Sequence, residues 1–426
     1  MFETLRNAWK VVDLRKKILF TLLIIVVFRI GSVIPVPFID THALHASASA
    51  VNEFLNILST LGGGALTYGT IFALGVTPYI NSSIIMQLLG VAIPALERLS
   101  KEGEEGRRKI AKYTRMATVA LALLQGVGYF FYLLNSKFLT VKGTGMSIFA
   151  GFVIVACLTA GSTLVMWLGE QIDAKGIGNG ISMLLFTGIV AQAPTAATNL
   201  YLNYWETGRY GVFIAILAAF LLVIAFIVWM TDAERRIPVQ YAKKVVGRKM
   251  YGGQNTHIPI KVNMSGVMPI IFASSILMVP TMILSFMGNA TENFWYKLLS
   301  MFSTQGVFYA LIYFAMIIAF AYFYVTIQYN PVEMANNLRQ NSGAIPGIRP
   351  GTPTSDFIQK ILSRVTLLGA LFLSVIAVLP ILVSIAANIN ISLGGTSVLI
   401  LVGVALETVK NLESQMLMRH YKGFLE

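Results

Sequence analysis

Residues 54–96 read FLNILSTLGGGALTYGTIFALGVTPYINSSIIMQLLGVAIPAL, which is 43 positions without an Asp, Glu, Lys or Arg. A helix needs about 20 apolar residues to cross a membrane, because the hydrocarbon core is about 30 Å thick. The stretch is therefore too long for one crossing and too short for two crossings joined by a comfortable loop. The number of times that it crosses decides the fold.

The composition is that of a membrane protein. Of the 426 residues, 56% are hydrophobic and 12% are charged, whereas soluble domains have about 25% charged residues. This excludes an ordinary soluble enzyme and a disordered tail. The uncharged stretches are 18–28 with 30–39, 54–96, 116–136, 143–169, 176–205, 210–231, 262–291, 298–332 and 365–406.

The distribution of the cations shows how often 54–96 crosses. Cytoplasmic loops carry an excess of Lys and Arg, and residues 1–17 hold five of them while 97–115 hold seven. Both segments are therefore predicted to be cytoplasmic, and an even number of crossings separates them. Since 18–39 supplies one crossing, 54–96 supplies one more, and its surplus enters the membrane without crossing. We expect a short re-entrant helix over about 61–74 and then a spanning helix over about 76–94.

The same reasoning gives the opposite answer for 365–406, which has basic residues on both sides. That stretch is predicted to cross twice, with a turn near Asn388–Asn390 and Gly394–Gly395. The sequence thus predicts an all-α polytopic membrane protein with ten transmembrane helices and both termini in the cytoplasm. Residues 1–17 are predicted to form an amphipathic surface helix, and 411–426 a cytoplasmic tail.

An internal sequence repeat indicates that the chain consists of two halves. Residues 75–80 (GVTPYI) open the second predicted helix and 266–271 (GVMPII) open the seventh, and a Ser-Ser pair follows each. The two helices hold the same place in two successive sets of five, and since five is odd the halves are predicted to be inverted. Chance similarity between two apolar helices is the alternative. The halves are 18–205 and 206–410.

Charged, nucleophilic and metal-ligating residues are scarce inside the predicted spans. Arg29 is the one clear charge there, and it either reaches the interface or bonds a neighbouring carbonyl. No nucleophile–base set, metal-ligand spacing or Walker motif is present, and a single cysteine, Cys157, excludes internal disulfides. We expect no catalytic residue, metal or cofactor. These features favour a passive protein-conducting channel; the alternatives are a secondary transporter of a small solute and an intramembrane enzyme or scaffold.

Two basic cytoplasmic loops, 231–261 and 329–360, stand out. The alternation of Ile237, Val239 and Tyr241 predicts a hairpin strand in the first. The second contains a turn-rich Pro-Gly segment, 341–352, which presents Arg349. Such loops either only solvate and orient the helices or dock a protein or ribosomal RNA.

Six motifs occur in order along the chain: 28–31 (FRIG), 71–89 (IFALGVTPYINSSIIMQLL), 167–172 (WLGEQI) with 176–182 (GIGNGIS), 256–263 (THIPIKVN), 347–351 (GIRPG) and 394–397 (GGTS). With them the sequence resembles, over essentially the whole chain, the SecY family, whose members are the central subunit of the bacterial Sec protein-conducting channel. Asp173 departs from the family pattern, in which a hydroxyl residue is commoner.

The resemblance implies two five-helix halves around a pore, a short plug helix, and a lateral gate between helices 2 and 3 and helices 7 and 8. The implied pore ring is Ile80, Ile84, Leu185, Ile189, Ile271 and Ile400. The plug includes Gly62, Gly63, Gly64, Ala65, Leu66 and Thr67. The gate serines are Ser82, Ser83, Ser274 and Ser275. The docking residues are Arg235, Arg236, Lys243, Lys244, Arg248 and Arg349.

The resemblance also implies partners and a location. The partners are SecE-like and SecG-like small membrane subunits, the SecA motor ATPase, the ribosome through its RNA, secretory preproteins with their signal sequences, and lipid. The location is the bacterial plasma membrane.

Overall fold

The computed structural model describes residues 6, 9–46, 62–141, 144–206, 208–241, 244–246, 249–251, 255–287, 294, 306–387 and 395–422. In chain order the helices are α1 (Val12–Gly31), α2 (Thr41–Ala46), α3 (Thr77–Ala92), α4 (Pro94–Lys101), α5 (Glu104–Asn135), α6 (Thr144–Lys175), α7 (Gly180–Leu200), α8 (Tyr210–Asp232), α9 (Met268–Met287), α10 (Val307–Gln328), α11 (Pro331–Gln340), α12 (Thr352–Ala387) and α13 (Gly395–Lys422). The strands are β1 (Glu234–Tyr241), β2 (Lys244–Val246), β3 (Lys249–Tyr251), β4 (Asn255–Lys261) and β5 (Gly343–Ala344).

A helix lies at each of the ten places where the sequence predicts a crossing. Within the described ranges, six helices are long and apolar enough to span a membrane, and a seventh span is added if the bent pair α3 and α4 counts as one. In the described part of this stretch, residues 62–96, one long helix, α3, is followed by a 105° bend into α4 at Pro94. Pro94 begins α4, where its missing N–H costs no helical hydrogen bond. Residues 388–394, where the turn between the last two helices is predicted, lie outside the described residues.

The first helix starts earlier than the first uncharged stretch. α1 begins at Val12, so the end of the predicted surface segment 1–17 continues directly into the first span. Leu14 near its start is buried against Ile177 and Leu412, and Lys17 Nζ donates to Gln415 Oε1 at 3.2 Å. These contacts tie the start of α1 to the loop before α7 and to α13.

Two compact units make up the chain. The first is Met1–Phe213, Ser275–Thr304 and Ile400–Glu426, and the second is Ile214–Ser274 and Gln305–Leu399. In the first unit α5 packs against α3 and α6, and α6 also packs against α1 and α7. The predicted inverted halves, 18–205 and 206–410, stay a prediction.

In the second unit, α10 packs along α12, and a three-stranded antiparallel sheet of order β4-β1-β5 covers the start of α12. The predicted hairpin strand is present, because β1 pairs with β4 with Ile237 opposite Ile258. Ile237 and Val239 are buried while their neighbours are exposed. They pack in one hydrophobic cluster with Ile358 and Leu362 of α12.

The re-entrant segment differs from the prediction of a short helix. Residues 62–76 form consecutive turns, and residues 47–61 lie outside the described ranges. The reason is local: a right-handed helix excludes residues with positive φ, and the segment contains four of them. These are Gly63 (φ 69°), Gly64 (φ 86°), Gly69 (φ 57°) and Gly75 (φ 56°).

Candidate functional site

The re-entrant segment 62–76, which we call the plug segment, is tied to the end of α1 through its backbone. Pro35 and Thr70 form an isolated antiparallel bridge. Val36 N donates to Gly69 O at 2.9 Å, and Ile71 N donates to Ile34 O at 3.0 Å. Non-helical backbone is tolerated at membrane depth only where it is buried in protein or lines water. These bonds supply partners for its polar groups.

Side-chain hydroxyls complete the turns. Thr67 Oγ1 donates to Gly64 O at 2.8 Å, and Thr70 Oγ1 donates to Ala65 O at 3.1 Å. From α5, the buried Tyr129 hydroxyl donates to Leu66 O at 3.0 Å. Leu66 is 2% exposed and lies in the same hydrophobic cluster as Tyr129. The middle of the plug segment is therefore fixed to α5.

The end of the plug segment packs against α6 and α1. A Cβ on Gly161 of α6 would overlap the carbonyl oxygen of Ile71, so the two backbones touch. Ser162 Oγ donates to Gly75 O at 3.4 Å. The ring of Phe72 stacks on that of Phe28, with centroids 5.9 Å apart. Residues 65–76 are thus held on three helices.

The start of the plug segment approaches α7 so closely that a side chain at Gly63 would make unusually tight contacts. A Cβ on Gly63 would lie 3.0 Å from Gly188 Cα, 3.2 Å from Gly188 O and 3.2 Å from Arg29 Nη1. Gly188 directly precedes Ile189, one of the residues predicted for the pore ring. The plug segment therefore meets α7 beside a predicted pore residue.

Arg29 was predicted to be the one charge inside a span. It lies in the last turn of α1, where the negative end of the helix dipole favours a cation. Its Nη1 atom is buried and has no hydrogen-bond partner within the described part of the chain. The guanidinium thus faces the plug segment at Gly63 without an acceptor that satisfies this nitrogen.

The predicted pore-ring residues are all buried aliphatic side chains. Ile80 and Ile84 share one face of α3, and Leu185 and Ile189 share one face of α7, because residues four apart in a helix lie above one another. Exposed fractions are 8% for Ile80, 3% for Ile84, 3% for Leu185, 0% for Ile189, 8% for Ile271 and 3% for Ile400. Their arrangement as a ring stays a prediction.

The predicted gate serines satisfy their hydroxyls locally. Ser82 is fully buried, and its Oγ donates to Pro78 O at 2.9 Å. Ser83 Oγ accepts from Gln87 Nε2 at 3.4 Å. On α9, Ser274 Oγ donates to Ile271 O at 3.0 Å, and Ser275 is 9% exposed. Three of the four serines thus bond within their own helix, and their role in a gate stays a prediction.

Three of the predicted docking residues can be placed. Arg235 and Arg236 are exposed on β1, and Arg236 Nε lies 2.6 Å from Glu234 Oε1. Arg349 is exposed in a loop whose glycines Gly347 and Gly351 have positive φ. Lys243, Arg248 and the side chain of Lys244 lie outside the described residues.

The Arg349 loop is conformationally fixed. Thr354 Oγ1 donates to Arg349 O at 2.8 Å. Ile345 is buried, and Ile348 packs on the same cluster as Ile237 of β1. The cation is therefore presented from a supported turn, and its docking role stays a prediction.

Sequence reasoning missed Tyr129, Gly161 and Gly188 as parts of the site. A tyrosine in an otherwise apolar span is a usable signal, since a buried hydroxyl needs a partner. The two glycines carry no such signal, because glycine is common in membrane helices.

Asp173, which departs from the family sequence pattern, has a structural role at the start of α7. Asp173 Oδ1 accepts from the backbone N–H of Gly180 at 2.7 Å, and Asn179 Oδ1 accepts from Ser182 N at 3.1 Å. Both acceptors satisfy amides in the first turn of α7, which have no partner within the helix. The carboxylate at 173 therefore helps to begin the helix that carries Leu185 and Ile189.

Comparison with known proteins agrees with this architecture. The SecY family model matches residues 70–409. A protein translocase subunit SecY from Streptomyces galbus is 44% identical over 438 residues, covering 100% of both chains. A solved SecY channel, whose plug domain stabilises the closed state and maintains a membrane seal, aligns with TM-score 0.65 at 18% identity, covering 94% of this chain and 92% of that one. Sec61 in the canine ribosome–channel complex from the endoplasmic reticulum aligns with TM-score 0.61 at 18% identity, with the same coverage. Since the family model matches well over half of the chain and the Streptomyces relative matches all of it, the chain belongs to the SecY family.

Proposed function

We propose that this chain is the channel-forming subunit of a protein translocase, through which unfolded secretory polypeptides cross the membrane and apolar segments pass sideways into lipid. The observation that carries the proposal is the plug segment 62–76. This segment lies within the first unit as a series of mostly buried turns that are hydrogen-bonded to the residues after α1 and to α5. Irregular backbone at membrane depth is typical of a protein that contains a transport pathway. A polypeptide needs such a pathway, since each unpaired backbone group in lipid costs several kcal/mol.

The pore ring supplies the constriction of this pathway in the proposal. Its six residues, Ile80, Ile84, Leu185, Ile189, Ile271 and Ile400, are aliphatic and uncharged. An apolar constriction excludes ions by dewetting, and it offers no fixed ligand that would hold a passing peptide. The burial of all six side chains supports the assignment.

The plug segment closes the pathway at rest in the proposal. Its close approach to Gly188 supports this role, because Gly188 directly precedes Ile189, one of the predicted ring residues. The gate is assigned to Ser82, Ser83, Ser274 and Ser275. Small side chains with locally satisfied hydroxyls, as in Ser82 and Ser274, allow two helices to separate without leaving hydrogen bonds broken.

The cytoplasmic loops are proposed to dock partners that supply the driving force. Arg349 and the β1 cations Arg235 and Arg236 are exposed and suit an acidic protein surface or RNA phosphates. We assign these contacts to the SecA motor ATPase and the ribosome, with Lys243, Lys244 and Arg248 as further candidates. SecE-like and SecG-like subunits are the proposed membrane partners.

The chain is a multi-pass membrane protein. A bacterial plasma-membrane location with cytoplasmic termini is proposed from the basic residues of 1–17 and 97–115. In this role the channel is passive and carries out no chemical step itself. The alternative of a small-solute transporter is not supported, because the full-length relatives are translocase subunits.

A photocrosslinker placed at Ile84 tests the pathway. In vesicles carrying a stalled secretory chain, we expect an adduct between position 84 and that chain. The matched control is a crosslinker at Phe152 of α6, which is 74% exposed on the outside of the helix and should label lipid instead. A stalled chain that crosslinks to neither position, or equally to both, contradicts the pore assignment.

A further inference from the structure

One charged residue inside a predicted span, Arg29, has no role in the proposed function. Arg29 lies at the end of α1, and its Nη1 atom is buried. Arg29 as a whole is only partly buried, but a guanidinium nitrogen taken out of water without a hydrogen bond is costly. The groups that Arg29 faces therefore determine whether this cost is compensated.

Arg29 Nη1 lies beside the backbone of Gly63, which in turn lies close to that of Gly188. The position of a Cβ on Gly63 lies 3.2 Å from Arg29 Nη1, 3.0 Å from Gly188 Cα and 3.2 Å from Gly188 O. The absence of a side chain at Gly63 leaves room for this approach, because a Cβ there would make unusually tight contacts with both Arg29 and Gly188.

We propose that Arg29 is a positioning residue for the plug segment: its guanidinium holds the turn at Gly63 in the space left by Gly188, and so keeps the start of the plug segment against α7. The proposal rests on the proposed function of 62–76 as a plug. It adds that closure depends on a charge at position 29.

The two ends of the plug segment are held differently. Residues 65–76 are fixed by the Pro35–Thr70 bridge and by the Tyr129 hydrogen bond to Leu66 O. Gly63 and Gly64 lie beside Arg29, Gly188 and Gln192 instead, and both have positive φ. The Arg29 contact therefore governs the end of the plug segment that has no such bridge.

Substitutions at Gly63 and Gly64 form a matched pair that tests the steric contact between the plug segment and α7. Gly63→Ala places a methyl group 3.0 Å from Gly188 Cα, so the turn must move away from α7. Gly64→Ala has the same backbone strain, since both glycines have positive φ, but its methyl group would lie 3.5 Å from Gln192 Nε2, an ordinary contact. We expect Gly63→Ala to raise resting ion leakage through vesicles several-fold above that of Gly64→Ala.

The charge is tested with Arg29→Met and Arg29→Lys, in the complete chain and in a variant that lacks residues 62–66. We expect Arg29→Met to raise leakage several-fold in the complete chain, Arg29→Lys to leave it near that of the parent, and Arg29→Met to add nothing once 62–66 are deleted. If Arg29 only stabilised the fold, Arg29→Met would raise leakage both in the complete chain and in the variant that lacks residues 62–66. Thermal unfolding in detergent identifies any variant that fails to fold.

The outcomes separate the two ideas. If deleting 62–66 leaves leakage unchanged, the plug function itself is wrong. If the deletion raises leakage but Arg29→Met does not, or if Arg29→Met raises it equally in the deleted variant, the role of Arg29 is wrong and the plug function stands.

Discussion

The hydroxyl of Tyr129 in α5 donates a 3.0 Å hydrogen bond to the carbonyl oxygen of Leu66 in the plug segment, and both residues are buried. The two positions are 63 residues apart in the chain. The bond satisfies one backbone acceptor of a segment that has no regular secondary structure. It therefore connects a spanning helix with the element proposed to close the channel.

Replacing Tyr129 with Phe removes this bond, while Leu66 O keeps the hydrogen bond that it accepts from Gly69 N at 3.1 Å. The loss of one such hydrogen bond costs about 0.5–1.5 kcal/mol. We expect a lower unfolding temperature in detergent and higher resting ion leakage in vesicles. Tyr113→Phe on the same helix is the control, because Tyr113 is 45% exposed and surface changes are usually within about 0.5 kcal/mol. Equal behaviour of the two variants would show that the Leu66 contact has no part in closure.

Several parts of this architecture could be predicted from the sequence. The alternation of Ile237 and Val239 predicts a strand with one buried face, and β1 confirms it. The basic segments 1–17 and 97–115 limit 54–96 to one predicted crossing, and its described part, 62–96, contains one long helix, α3. Charge bias and residue periodicity can be used in this way because both are local properties of the sequence.

The site itself was less predictable. The plug segment is a series of turns and not a helix, because its glycines adopt positive φ, and no local signal distinguishes such glycines from helical ones. The contact of Gly63 with Gly188 joins residues that are far apart in sequence. Ile84 and Ile189 look like ordinary helix packing, and only the family resemblance separates them from other buried aliphatics.

Reversing the charge of Arg349 tests the docking surface. Arg349 is exposed and its loop is held by Thr354 and Ile348, so Arg349→Glu should leave the fold intact. We expect motor- or ribosome-dependent export to fall about tenfold, which corresponds to a loss of about 1.4 kcal/mol of docking free energy when an attractive charge becomes repulsive. Lys112→Glu makes the same charge change at another exposed position, in a segment predicted to be cytoplasmic, and should have little effect. Normal export by the Arg349→Glu variant would contradict the docking role.

Asp173→Ala tests how α7 begins. The substitution removes the acceptor that lies 2.7 Å from Gly180 N, and loss of an acceptor at a helix start costs about 0.5–2 kcal/mol. Asp173→Asn keeps an acceptor oxygen and should recover most of this stability. Because Leu185 and Ile189 follow on the same helix, we also expect slower export by Asp173→Ala. Thermal unfolding and an export assay measure the two effects, and identical unfolding of Ala and Asn variants would contradict the capping role.

Gly161→Ala tests whether the far end of the plug segment is fixed by close backbone packing. The new methyl group would overlap the carbonyl oxygen of Ile71, so α6 and the plug segment must move apart. Overpacking of this kind costs about 1–3 kcal/mol. Gly145→Ala, near the start of the same helix, is the control because nothing lies within 4 Å of its Cβ position, and alanine is favoured over glycine in a helix by about 1 kcal/mol. We therefore expect Gly161→Ala to lower the unfolding temperature and raise leakage, while Gly145→Ala leaves leakage unchanged and unfolds at the same or a higher temperature. If both variants gain stability, residues 71–75 yield to the new methyl group, and the close approach of Gly161 does not fix the plug segment.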